Sequence, residues 1–262
     1  MRFGIITDIH FSAGQDKRRL QKEILGWRES GANFAVQLGD LIAGKPDKAS
    51  KELQEVKSIL ETCHCTIRHV IGNHCLALPE ARLFSSLGLE RAYYSFKEGE
   101  FRFVVLHGMD VSVLSRPEEE EENELLERAR TSPGLHDYCG AVGRAQKAWL
   151  KESLQKAENA GEKVIILCHF PLLPETSDLK HGLLWNHREI SEMILSSAAV
   201  KVCFSGHFHP GAHAVSNGIH FIALPAFVNP GSGFTSGTVE INSAAMIVRN
   251  QENSHFLEVS IV

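Results

Sequence analysis

A chain of 262 residues with 43% hydrophobic content can bury a full core, and its 23% charged content is that of a water-soluble globular protein. The formal net charge of −5 implies no broad basic face, so binding to a nucleic-acid backbone is not expected. No apolar run approaches membrane-span length and the opening MRFGIITDIH lacks a signal-peptide core, so a cytoplasmic, reduced protein with no membrane partner is expected.

Short apolar runs alternate with helical periodicity along the chain. RFGIITD reads as a buried strand and KRRLQKEILGWRES as an amphipathic helix ending near Gly31. NFAVQLGD is a second strand, KASKELQEVKSILET a second helix and IRHVIGN a third strand. AYYSFKEGEFRFVVLHGMD predicts a hairpin turning at Glu98-Gly99. The glutamates at 118 to 122, with NELLERAR after them, predict a solvated helix face, because carboxylates in a row cannot converge on one ion. GRAQKAWLKESLQKAENAG is a helix, KVIILCHF a strand, NHREISEMILSS a helix and VKVCFSGH a strand, with several β segments after position 214. No internal repeat or linker divides the chain, so one α/β domain over 1–262, with helices on both faces of the strands, is expected. The cysteines at 63, 65, 75, 139, 168 and 203 have no secreted-framework spacing. CHC at 63 to 65 has no matching second pair, and packed free thiols are expected for most of the six.

Metal-capable side chains stand at the end of each apolar run. Asp8 and His10 come after FGIIT, Gly39 and Asp40 after FAVQL, and Gly72, Asn73 and His74 after RHVI. His169 comes after KVIILC, and Gly206, His207 and His209 after KVCFS. Singly, each has a bland reading: Asp8 or Asp40 as a helix N-cap, His169 as a satisfied core histidine, Asn73 as a turn former. Five strands ending alike argue for function, since ligands bind at the carboxyl ends of strands in open α/β sheets. Two Asp, one Asn and four His mix oxygen and nitrogen donors, which suits Mn, Fe, Co, Ni or Zn without a thiolate. That is too many donors for one tetrahedral ion and about right for two sharing a carboxylate.

The motifs DIH, GD, GNH, H and GHFH, in this order over positions 8 to 209, resemble the calcineurin-like metallophosphoesterases. The resemblance implies a four-layer α/β/β/α sandwich with a two-metal centre and a small phosphate-bearing substrate. Asp8, His10, Asp40 and His209 would hold one ion; Asp40, Asn73, His169 and His207 would hold the other, with Asp40 bridging. A narrower likeness, in QLGDLI, RHVIGNH, HFPLLPETSD, LLWNHREI and VKVCFSGHFHPGAH, is to the manganese-dependent ADP-ribose/CDP-alcohol diphosphatases. Manganese is then the expected metal, and a nucleoside-diphosphate-linked small molecule the expected substrate. The chain departs from that group's usual pattern at Cys75, where an acidic residue is common, at His107, where an aspartate is common, and at His10, often Gln.

Within this likeness His74 is the expected group acting on the leaving oxygen, with orientation of the ligands as its alternative role. Arg18 and Arg19 could fork a second phosphate or simply open a solvated helix. Trp185 could stack on a base or pack in the core, and Asn186 could touch substrate or cap the next helix. The competing functions are a cyclic-nucleotide or glycerophosphodiester phosphodiesterase with the same motifs, and a non-catalytic scaffold of the same fold. The scaffold is disfavoured because every ligand position is filled.

Overall fold

The computed structural model describes every residue except 15, 16, 116, 118, 133, 230, 232, 233, 235, 243, 251, 253 and 262. Glu118, first of the glutamate run, and Arg116 beside it lie outside the described residues. Two six-stranded sheets form the centre. In the first, β1 (Arg2–Ile6), β2 (Phe34–Gln37) and β3 (Thr66–His69) run parallel, and β10 (Gly237–Ile241), β11 (Ala245–Asn250) and β12 (His255–Ser260) extend the β1 side antiparallel. In the second, β5 (Phe101–Leu106), β6 (Lys163–Cys168), β7 (Val200–Ser205) and β9 (Ile219–Ala223) are parallel. Antiparallel edge strands β4 (Tyr94–Glu98) and β8 (Ala212–Ser216) close it on either side.

Three apolar clusters separate four layers, which is the α/β/β/α sandwich expected from the motifs. Phe3, Val36, Phe103, Leu167 and Phe204 fill the space between the sheets. Ile24, Trp27, Leu53 and Val56 cover the first sheet from α1 (Arg18–Glu29) and α2 (Ala49–Leu60), with Leu83 of α3 (Glu80–Leu87) beside them. Leu126, Leu150 and Ile190 cover the second from α4 (Glu120–Thr131), α5 (Arg144–Asn159) and α6 (His187–Leu195). A parallel strand covered on both faces must be apolar throughout, which is why RFGII and KVIILC read as continuous runs rather than alternating ones.

The hairpin turns where expected, with Gly99 at φ +60° between β4 and β5. The helical periodicity marked no segment at 80–87. There α3 is only eight residues long with a single fully buried position, Leu83, so its periodic signal is short. One cysteine expectation is corrected: Cys63 and Cys65 are joined by a disulfide, since the turn that ends α2 brings their Cα atoms to 5.3 Å. Cys75, Cys139, Cys168 and Cys203 are free and buried.

Candidate metal centre

The loops leaving β1, β2, β3, β6 and β7 meet at the carboxyl ends of both sheets and bring the seven candidate ligands together. Asp8 Oδ1 lies 3.7 Å from His10 Nε2 and 3.5 Å from His209 Nε2, and those two nitrogens are 3.2 Å apart. Asp40 Oδ2 lies 3.3 Å from His169 Nε2, which in turn is 3.2 Å from Asn73 Oδ1. Asp40 Oδ2 is also 3.7 Å from His10 Nε2, so this one carboxylate faces both halves. Ligand atoms of Asp8, His10 and His209 fall within 4.8 Å of one another, as do those of Asp40, His169 and His207.

Each donor is held from behind. His169 Nδ1 lies 2.9 Å from the Leu38 carbonyl and His207 Nε2 lies 2.7 Å from that of His181. A carbonyl only accepts, so those nitrogens carry protons, and the opposite nitrogens are the ones left to face a metal. Asp8 Oδ2 accepts from the Thr7 hydroxyl and from the His207 backbone N–H. Asp40 Oδ1 accepts from the His74 backbone N–H. Backbone bonds lace the loops to one another: Asp8 N–H to Gly39 O, His10 N–H to Asp40 O, Gly206 N–H to His169 O and Ala226 N–H to His209 O.

This crowding is reached only with an unusual backbone. Asp8, His10, Asp40 and His207 all have φ between +44° and +63°, the left-handed region, which costs a non-glycine residue roughly 1 kcal/mol or more. The motif glycines answer close approach, and Gly39, at φ +108°, answers a positive φ as well. A Cβ on Gly39 would sit 2.2 Å from His169 Nδ1, one on Gly72 2.3 Å from Asp40 Oδ1, and one on Gly206 2.0 Å from Thr7 Oγ1.

The electrostatics fit a pair of cations. Burial alone would raise the Asp40 carboxyl, but the adjacent His169 outweighs it and holds the group at about 2. Asp8, buried as deeply, is held well below the usual carboxylate range by the His10 and His209 rings. Burial works to lower His169, yet Asp40 beside it carries it up to about 9, while burial and the nearby His169 push His207 down to about 4. Among the described residues, Asp8 Oδ1 is buried without a hydrogen-bond partner although it faces two imidazoles. An orphaned carboxylate oxygen opposite two ring nitrogens is a set of lone pairs converging on one point, which a divalent ion satisfies. The residues present therefore fit a metal pair.

The remaining predicted residues divide. His74 joins the cluster: its ring stands 4.5 Å from that of His10, edge to face, and its Nδ1 lies 2.8 Å from the Ala43 carbonyl. Arg19 donates to the Phe227 carbonyl at 2.6 Å with its guanidinium 4.1 Å above the Phe227 ring, which ties α1 to the loop after β9. Arg18 is exposed at the start of the same helix. Trp185 is 6% exposed and packs in the outer core of the second sheet, its Nε1 donating to the His136 carbonyl. Both ends of the Asn186 amide pair with the Val142 backbone, so the side chain does not reach the cluster, and it makes no cap hydrogen bond to α6. Cys75 is buried in the first sheet's outer core, where burial pushes its thiol up to about 11. Sequence reasoning missed Thr7, which was legible beside Asp8, and the Leu38, Ala43 and His181 carbonyls, which leave no mark in a sequence.

Residues 1–211 match the family model described as calcineurin-like phosphoesterase. A manganese-dependent ADP-ribose/CDP-alcohol diphosphatase of Arabidopsis thaliana is 31% identical, covering 91% of this chain and 90% of its own length. One of Oryza sativa subsp. japonica is also 31% identical, over 91% and 87%. The crystal structure of a dimetal phosphatase from Danio rerio superposes with a TM-score of 0.86 at 25% identity, over 100% of this chain and 99% of that one. With a family match over most of its length and a metal-capable cluster at the matching motifs, the chain belongs to the calcineurin-like phosphoesterases and is a metal-dependent phosphohydrolase.

Proposed function

We propose that the protein hydrolyses nucleoside-diphosphate-linked small molecules of the ADP-ribose or CDP-alcohol kind, with two divalent ions, manganese first among them. The single observation that carries the two-metal reading is Asp40, whose Oδ2 faces His10 on one side and His169 on the other. Asp8, His10, Asp40 and His209 would hold one ion, and Asp40, Asn73, His169 and His207 the other. When bound, such a pair lowers the pKa of a water toward neutrality and neutralises charge on the phosphoryl oxygens. The substrate class rests on the two 31% identical relatives, whose names state it.

His74 would act on the leaving oxygen. Its Nδ1–H is committed to the Ala43 carbonyl, which leaves Nε2 as the atom that can hold and deliver a proton. The His74 backbone N–H on Asp40 Oδ1 ties the ring's position to the shared carboxylate. Asp8 and Asp40 stay ionised across the neutral range, so they compete with no proton for metal. Arg18, exposed at the start of α1, remains the candidate for a second phosphate, whereas Arg19, Trp185 and Asn186 act as struts. The cytoplasm is the proposed compartment, on four buried free thiols set against the one local Cys63–Cys65 disulfide.

Steady-state hydrolysis by the manganese-loaded protein tests the reading. The kcat/KM for ADP-ribose or CDP-glycerol should exceed that for bis(p-nitrophenyl) phosphate by roughly ten-fold or more, the gain a bidentate phosphate contact of about 1.4 kcal/mol supplies. Equal values would reduce the protein to a general phosphodiesterase.

A further inference from the structure

A cavity of about 490 Å³ opens between the segment 76–80 and the loop 109–115. Its walls are Leu76, Met109 and Leu114, and its polar lining among the described residues is Glu80, Asp110, Ser112 and Ser115. It adjoins the metal cluster along the chain in two ways. Leu76 lies two residues beyond His74 in the same short 3-10 turn, Asn73–Ala77. The other link comes from strand register. β5 and β6 pair in parallel with Leu106 opposite Cys168, so the next residues, His107 and His169, are neighbours at the strand ends. Val105 and Leu167 belong to the core between the sheets, and alternation sends His107 and His169 to that same face.

His107 is unusual. It is 3% exposed, and both of its ring nitrogens are buried with no hydrogen-bond partner among the described residues. Its Nε2 lies 3.8 Å from Glu80 Oε1, within ion-pair range and beyond a hydrogen bond. A buried imidazole whose nitrogens lack a hydrogen bond is costly unless something completes it. Asp110 is fixed by contrast, one oxygen taking the Gly143 backbone N–H and the Gln146 amide, both at 3.0 Å. Gln146 also accepts the His107 backbone N–H at 2.8 Å, so the floor under His107 and Asp110 is one rigid unit.

We infer that this cavity binds the polyhydroxy alcohol end of the substrate, a ribose- or glycerol-like group, with Glu80 and Asp110 accepting its hydroxyls and His107 positioning Glu80. The inference rests on the proposed substrate class and says which part of the site reads it. Carboxylates accept hydroxyl donors strongly, and the carbon face of a polyol suits the Leu76, Met109 and Leu114 walls. Glu80 is a binding residue in this scheme and His107 a positioning residue.

The test compares CDP-glycerol with CDP-ethanol, which has the same two phosphates and no free hydroxyl on its alcohol. For the wild-type protein with manganese, kcat/KM should favour CDP-glycerol. Glu80→Leu should cut that preference roughly 10-fold or more, through KM rather than kcat, as expected for a lost hydrogen bond to a charged group. Glu80→Gln, which still accepts, should fall between. His107→Phe should move the preference the same way, and His107→Gln, which can donate to Glu80, should restore it. A preference unchanged in Glu80→Leu, or an equal loss on both substrates, would overturn the inference. Wild-type hydrolysis of bis(p-nitrophenyl) phosphate with neither CDP ester cleaved would instead sink the substrate class itself.

Discussion

Adding one methyl group at Gly206 should weaken both halves of the centre. A Cβ built there lies 2.0 Å from Thr7 Oγ1, 2.5 Å from Asp8 Oδ2 and 3.1 Å from Thr7 Cβ. None of these is the loose end of a flexible side chain. Asp8 Oδ2 is fixed by the Thr7 hydroxyl at 2.6 Å and by the His207 N–H at 3.0 Å, and Asp8 itself has φ +50°. To admit the methyl, either β1 or β7 must retreat, or the Asp8 carboxylate must turn away from His207. Overpacking of this kind costs about 1–3 kcal/mol. In a chain of this size, where each kcal/mol shifts Tm by about 2–4 °C, that corresponds to a fall of about 2–12 °C. The metal should suffer more selectively. Disturbing the groups that orient a ligand weakens metal affinity about 10–100-fold, and here Asp8 and His207 serve different halves of the cluster, so both ions should be affected. Thermal denaturation of the metal-free protein and manganese titration of Gly206→Ala measure the two effects separately. Wild-type Tm together with wild-type manganese affinity would show that the Thr7–Asp8–His207 linkage does not hold the site.

The same geometry sets other outcomes. His74→Ala should lower kcat about 10²–10⁴-fold with metal content near normal, and the loss should shrink for a p-nitrophenyl ester; an equal loss for poor and good leaving groups would make His74 structural. Arg19→Ala should lower stability rather than raise KM, because its guanidinium is spent on Phe227; a KM for ADP-ribose raised ten-fold at unchanged Tm would contradict this. Acid should weaken the fold through His69, where burial pushes the imidazole down to about 4 against 6.5 in the unfolded chain. The unfolded state takes up the proton first, so this contribution is full above pH 6.5 and lost as pH falls from 6.5 to 4. That difference is worth about 3 kcal/mol, and His69→Phe should remove that part of the pH dependence in denaturant unfolding.

The layers of this fold were legible in the sequence because burial on both faces leaves uninterrupted apolar runs, such as KVIILC, while helices show their 3.6-residue stripe. The ligands were legible because each sits one to four residues past such a run. The features that escaped were set by tertiary contact. The left-handed backbone at Asp8, His10, Asp40 and His207 is only weakly marked by residue type, since Asp and His enter that region more readily than most residues but the neighbouring loops decide where. Trp185 read slightly more as a substrate contact than as core by sequence, and it packs in the second sheet's outer core. The Cys63–Cys65 bond depended on how α2 ends, and the Glu80–His107 pair on the start of α3 meeting the segment after β5.

The two-metal centre turns on Asp40 as the carboxylate shared by both ions. Anomalous diffraction from manganese-soaked crystals of the wild-type protein and of Asp40→Ala tests that directly. The wild type should show two peaks roughly 3.5–4 Å apart, one among Asp8, His10 and His209 and one among Asn73, His169 and His207, on either side of Asp40. Asp40→Ala should show neither at comparable occupancy. A single peak in the wild type, or two full peaks without Asp40, would contradict a centre in which one carboxylate holds two ions.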